Sequence, residues 1–230
     1  MVEIIGILAI SWLLIWLFEK GNLSVLGLKP VKRNLVYAAV LFVTTALCCA
    51  SGFLMRMYFG EEQFMLNPAF SLSLVFTGIW LNVKSVLFEE LLCRGVGLYI
   101  LIKKLGQKWG IVISAVIFGV LHWLNEGAFG NIIQMAAVFA FTFSMGLLLA
   151  YSYAKTFSLY LPIAIHLGWN LTQNFIFPDG PFGNQILLTR IQPEVTVSYP
   201  VYFSMLLLPK ISAIVTGFLV VRGLKTGQNK

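Results

Sequence analysis

Three short patterns in this chain set ionisable and amide side chains at helical spacing within apolar surroundings. In Glu89-Glu90-Leu91-Leu92-Cys93-Arg94, Glu90 and Arg94 are four residues apart, so on a helix they share a face and can form an ion pair. Glu89 is rotated by about 100° from Glu90, and the residue four places on from it is Cys93 rather than a cation. It is a carboxylate placed to act as a general base toward water. Phe118-Gly119-Val120-Leu121-His122 closes a later apolar run, and His166-Leu167-Gly168-Trp169-Asn170 lies within another. His166 and Asn170 are again four apart, and Gln173 and Asn174 continue that polar stripe. The chain has two histidines, and both fall in these patterns. An ionisable group near a bilayer centre costs about 2.5–3.5 kcal/mol or more, so it usually faces a partner or a wet cavity. Each pattern also has a plain reading: a solvated charge cluster at the membrane surface, a satisfied core histidine, or amides that bind neighbouring helices together.

The elements that must position these residues follow from composition. Lys, Arg, Asp and Glu make up 11% of the 230 residues, against about 25% in soluble domains. The mean hydropathy is +0.86. So few charges cannot cover a soluble surface, which makes the class a polytopic membrane protein. The formal charge of +7 does not indicate nucleic acid. Its basic residues cluster between apolar runs, at Lys29, Lys32 and Arg33, at Lys103, Lys104 and Lys108, and at Arg222, Lys225 and Lys230, as in cytoplasmic loops. Cys48, Cys49 and Cys93 form neither a disulfide framework nor a C-x-x-C knuckle. The first 18 residues lack a basic leader and a cleavage site, so they are expected to form a retained span.

Runs long enough to cross about 30 Å of hydrocarbon are expected near 2–18, 35–55, 69–88, 109–124, 131–154, 157–176 and 201–221. The third extends toward residue 102, either as one long tilted helix or as two with a break. Pro162 marks a kink or a late start in the sixth. Loop charges alternate in sign, from Lys20 to Arg33 positive, through Glu61 and Glu62, Lys103 to Lys108, Glu126, Lys155, and Asp179 with Glu194, to a positive tail. Under the positive-inside rule this puts the N-terminus outside and the C-terminus in the cytoplasm. The expected architecture is all-α: one integral membrane domain over residues 1–230, a helix bundle of 7 to 8 membrane helices, with its motifs in a core of about 75–175. Single glycines such as Gly119, Gly146 and Gly168 are expected to allow close helix packing.

Glu89–Arg94, Phe118–His122 and His166–Asn170, in this order on apolar segments, resemble the CAAX protease and bacteriocin-processing (ABI) superfamily, the intramembrane endopeptidases of the type II CAAX prenyl protease kind. Arg94-Gly95 and the Leu26-Gly27-Leu28-Lys29 turn are similar to bacterial members. The resemblance implies a cavity open toward the cytoplasm in which Glu89 activates water with help from His122. It gives His166 and Asn170 the part of oxyanion donors, and Glu90, Arg94 and Phe118 supporting roles. It implies a membrane-bound peptide or lipidated protein as substrate, such as a prenylated C-terminus or a leader peptide, in what reads as a prokaryotic cell membrane. No cofactor is firmly implied. Glu89, His122 and His166 match the donor set of a catalytic zinc, but without an H-E-x-x-H helix, and the glutamate mechanism is the favoured expectation. A non-catalytic scaffold or immunity-type protein of the same fold is the alternative, with a transporter behind it.

Overall fold

The computed structural model describes residues 2–125, 127–191 and 196–224. The loop charges Glu126, Glu194, Lys225 and Lys230 lie outside the described residues. The chain runs α1 (Val2–Glu19), a 3₁₀ turn (Leu23–Leu26), α2 (Lys32–Phe59), β1 (Gln63–Leu66), α3 (Leu72–Arg94), α4 (Val96–Asn125), α5 (Ile132–Thr156), α6 (Tyr160–Leu171) with a π-helical turn (Thr172–Ile176), β2 (Leu187–Ile191) and α7 (Tyr199–Arg222). Helix predominates, as composition requires. Four helices, α1, α2, α5 and α7, are long and apolar enough to cross a membrane, each with a mean hydropathy of 2.0 over its best window.

The segment from Ala69 to Ile102 is two helices. The break is at Gly95, where any Cβ would strike the Leu91 carbonyl oxygen. The break expected between residues 102 and 109 is a tight turn at Gly106 that divides α4 into two helices, 96–105 and 107–125, and Lys103, Lys104 and Lys108 are helical residues flanking it. Gly106, at φ 80° and ψ 162°, is not helical and turns the chain back on itself. A Cβ on Gly110 would stand 3.2 Å from Ile102 Cα, whereas eight residues of straight helix rise about 12 Å. Pro162 falls in the first turn of α6, where its missing N–H costs nothing, so it marks a late start rather than a kink.

The chain forms two compact units. The first comprises Met1–Ala38, Leu87–Ile163 and Phe218–Lys230. Its core gathers Ile15, Leu26, Leu91, Leu98, Tyr153 and Leu159. Within it α4 packs against α5, and Gly146 lets the two backbones approach, since a Cβ there would be 3.1 Å from Ala115 Cα. The Leu26-Gly27-Leu28 turn is tied to the α5–α6 link: Leu159 N–H donates to Leu26 O at 3.0 Å, Ser158 Oγ to Gly27 O at 2.8 Å and Tyr160 OH to Leu28 O at 3.0 Å. Gly27 itself has φ +62°, and a Cβ on it would run into the Phe157 carbonyl.

The second unit comprises Ala39–Val86 and Ala164–Gly217. Here β1 pairs antiparallel with β2, Leu66 opposite Leu187 and Gln63 opposite Ile191. The chain leading into β1 is tied down by Arg56, which donates to Glu62 through Nε at 2.6 Å and Nη2 at 2.7 Å, and to Asp179 through Nη1 at 2.6 Å. On α6, Gly168 meets the Phe42 carbonyl and Thr45 with no room for a side chain.

Gly27→Val should lower unfolding stability by about 2–4 kcal/mol, through backbone strain and a clash with fixed backbone. Thermal unfolding in detergent checks this. Gly6→Ala, on α1 with nothing within 4 Å of the added carbon, should leave the midpoint unchanged or slightly raised.

Candidate active site

The last two turns of α3 carry Glu89, Glu90 and Arg94, and the helix stops at Gly95 one residue later. Arg94 and Glu90 are completely buried, with side-chain exposure of 0% each, and pair at 3.1 Å between Nη1 and Oε1. The i,i+4 pair read from the sequence is thus a buried salt bridge and not a solvated surface cluster. Two buried charges are tolerated only with excellent geometry and additional partners. Those partners come from both neighbouring helices of the first unit. Arg94 Nη2 points at the Gly146 carbonyl on α5 at 3.5 Å, and the guanidinium lies 3.9 Å over the centre of the Phe118 ring on α4. Ser114 Oγ, one turn before Phe118, donates to the Cys93 carbonyl at 2.8 Å, which fixes the final turn of α3 against α4.

Phe118 is therefore a platform. One face supports the guanidinium, and His122 lies against it with ring centroids 4.3 Å apart and planes inclined by 58°. His122 Nδ1 is 2.7 Å from the Phe118 carbonyl. A carbonyl only accepts, so Nδ1 carries the proton, and in the neutral ring Nε2 presents its lone pair. That Nε2 faces Glu89 Oε2 at 3.8 Å. The two side chains are 15% and 18% exposed. The dyad is mostly buried, with Glu89 Oε2 itself shielded from solvent, and it sits beside a fully buried ion pair, all within one compact unit. Cys93, by contrast, is buried at 6% exposure, which does not suit a nucleophile.

His166 and Asn170 belong to the second unit. His166 is buried, at 5% exposure, and Asn170 is half-buried. Their helix is held to α2 through Gly168 and through Thr45 Oγ1, which donates to the Ile165 carbonyl at 3.0 Å. Gln173, read as an interhelical amide, bonds within its own helix instead, accepting from Trp169 Nε1 at 2.7 Å. Its turn is π-helical, a form often found beside functional residues. Lys84, also inside an apolar segment, lies on α3 within the second unit.

Sequence reasoning missed two contributors: Ser114, and the Gly146 carbonyl as an acceptor for Arg94. Their signal is faint, since a serine and a glycine in apolar helices read as packing residues. Gly119, Gly146 and Gly168 do meet neighbouring helices closely. Among the described residues, no three His, Cys, Asp or Glu side chains are grouped so as to hold a metal, so the zinc expectation has no donor set there.

Arg94→Ala should destabilise the fold by about 3–5 kcal/mol, because it strands a buried carboxylate. The double variant Glu90→Met/Arg94→Met should recover most of that loss, as apolar replacements of buried pairs often do. Phe118→Leu should cost about 0.5–2 kcal/mol beyond its change in volume, for the lost cation–π contact. Denaturation of the four proteins in one detergent measures all three.

No curated protein and no solved structure gives a significant match. Residues 70–172 match the family model for the type II CAAX prenyl endopeptidase Rce1-like family. That span contains all three patterns, from Glu89 to Asn170, and ends two residues after the last. Over residues 70–172 the chain therefore carries an Rce1-like type II CAAX prenyl endopeptidase domain.

Proposed function

We propose that the protein is an intramembrane endopeptidase in which Glu89 and His122 activate a water to hydrolyse a peptide bond. The observation that carries this reading is the Glu89–His122 dyad. Its Nε2–Oε2 separation of 3.8 Å is longer than a direct hydrogen bond and is the span that one shared water covers at about 2.8 Å from each atom. In that position Glu89 accepts the proton as water attacks the carbonyl, and returns it to the departing amine nitrogen as the C–N bond breaks. His122, its Nδ1 committed to the Phe118 carbonyl, accepts the water's second hydrogen at Nε2 from a fixed direction. Pre-set orientation of this kind is where such sites gain most of their rate.

His166 and Asn170 take the part of oxyanion donors, stabilising the tetrahedral intermediate as neutral side chains in a water-poor site. This assignment is supported by the order of the motifs and by the family match over 70–172. The buried pair Glu90–Arg94 and the Phe118 ring act as positioning residues. We further read the remaining helices as embedded with the four apolar ones in a bundle of 7 to 8 membrane helices. The N-terminus is outside and the C-terminus cytoplasmic, in a prokaryotic cell membrane. The substrate class is a membrane-bound peptide or lipidated protein, which the surrounding bilayer brings to the site.

Purified protein in liposomes should cleave a fluorogenic membrane-anchored peptide. Glu89→Gln and His122→Ala should each lower the rate by about 10²–10⁴, and Glu89→Gln, which keeps the side chain's shape, should do so with a thermal midpoint near wild type. Cleavage at the wild-type rate by either variant would remove that residue from the mechanism.

A further inference from the structure

The first unit carries a basic and aromatic tip that the proposed hydrolysis does not use. Gly106 separates the helices 96–105 and 107–125, and residues 103–109 around it are all exposed. Lys103, Lys104 and Lys108 stand there, interleaved with Leu105 and Trp109, which are 49% and 59% exposed. The tip is joined to the end of α1, where Lys103 Nζ donates to Glu19 Oε2 at 2.6 Å. Three of the lysines at this end lie by aromatic rings. Lys20 Nζ is 4.7 Å from the Trp16 ring centre, Lys103 Nζ 5.5 Å from that of Tyr99 and Lys108 Nζ 6.0 Å from that of Trp109.

The depth of this tip follows from α1. That helix has 18 apolar-rich residues and rises about 27 Å, close to the roughly 30 Å of a bilayer's hydrocarbon. Its two ends therefore lie at the two boundaries, and the tip bonded to Glu19 lies at one of them. Tryptophan and tyrosine rings favour that depth, and lysine stems lie along apolar surface there with the ammonium in the polar layer. Glu19 is one carboxylate among four lysines, Lys20, Lys103, Lys104 and Lys108, so the tip is strongly positive with the Glu19–Lys103 pair included. The 3₁₀ turn packs against both α1 and α4. The chain that leaves it adds Lys29, Lys32 and Arg33, with no acidic residue before Glu61.

We propose that this end of the first unit docks on an acidic lipid surface, its lysines among the headgroup phosphates and Trp16, Leu105 and Trp109 at the top of the hydrocarbon. A zwitterionic surface has no net charge to complement the tip. A soluble polyanion would match the lysines and leave the exposed apolar residues between them in water. Attraction of this kind gathers acidic lipids locally and weakens with salt. The proposal depends on α1 spanning the membrane and is independent of peptide hydrolysis.

Site-specific photo-crosslinking of the full chain tests it, in liposomes of equal phosphatidylglycerol and phosphatidylcholine, with a benzophenone side chain in place of exposed Gln107. Mass spectrometry should find adducts with phosphatidylglycerol about fivefold more often than with phosphatidylcholine, the effect of about one lysine at an acidic surface. The added pair Lys104→Gln/Lys108→Gln should bring the ratio near one, and Lys104→Arg/Lys108→Arg should keep it. The same probe in place of Ile133, 82% exposed in the first turn of α5, should give a ratio near one, because the other end of α5 is the one held to the Gly27 turn. Equal adducts at position 107 with the lysines intact would overturn the proposal, as would a ratio unchanged by the glutamines or equal at positions 107 and 133. Absence of any lipid adduct at position 107 would also overturn it, since that outcome leaves the lysines to a soluble partner.

Discussion

The buried ion pair between Glu90 and Arg94 is the interaction on which the candidate site depends. An arginine and a glutamate withdrawn from water impose strict demands on their surroundings, and three helices of the first unit meet them. The last turns of α3 provide both charges, α5 provides the Gly146 carbonyl, and α4 provides the Phe118 ring under the guanidinium. Once those contacts are made, α3 and α4 have little freedom to rotate. The consequence appears one residue away on α3 and one turn away on α4, where Glu89 and His122 are left facing each other. The sealed pair performs no chemistry in this account. It sets the angle at which Glu89 and His122 face each other.

Glycine makes the arrangement sterically possible. Gly95 permits the turn between α3 and α4 directly behind Arg94, and Gly146 brings α5 close enough for its carbonyl to face the guanidinium. A side chain at either position would have to displace backbone. This explains why Arg94-Gly95 occurs as a unit, and why Phe118 stands four residues before His122. The ring supports the cation while its own carbonyl fixes the imidazole tautomer.

Much of this was legible in the sequence because the bilayer makes charge informative. In a chain with 11% charged residues, a Glu-Glu-x-x-x-Arg within an apolar run stands out, and the i,i+4 spacing already defines the Glu90–Arg94 pair. The membrane class and the motif order were readable for the same reason. The break near Gly106 was readable too, but not its tightness. Lys103, Lys104 and Lys108 look like a loop to any rule that equates charge with solvent, yet they are helical residues on either side of a one-residue turn. Ser114 and the Gly146 carbonyl were equally hidden, since main-chain acceptors have no signature in side-chain spelling. The close approach of Gly52 to Pro209 was hidden as well, a tertiary coincidence between residues 157 positions apart in the chain.

The central claim is that Glu89 and His122 act on one water as a unit. A double-mutant cycle on kcat/KM for a membrane-anchored peptide tests it most directly, using Glu89→Gln, His122→Ala and the two combined. Residues that form one catalytic device are strongly non-additive. The combined variant should therefore be no more than about threefold slower than the slower single variant. Losses that multiply, so that the combined variant falls by the product of the two single effects, would show two independent contributions and contradict the account.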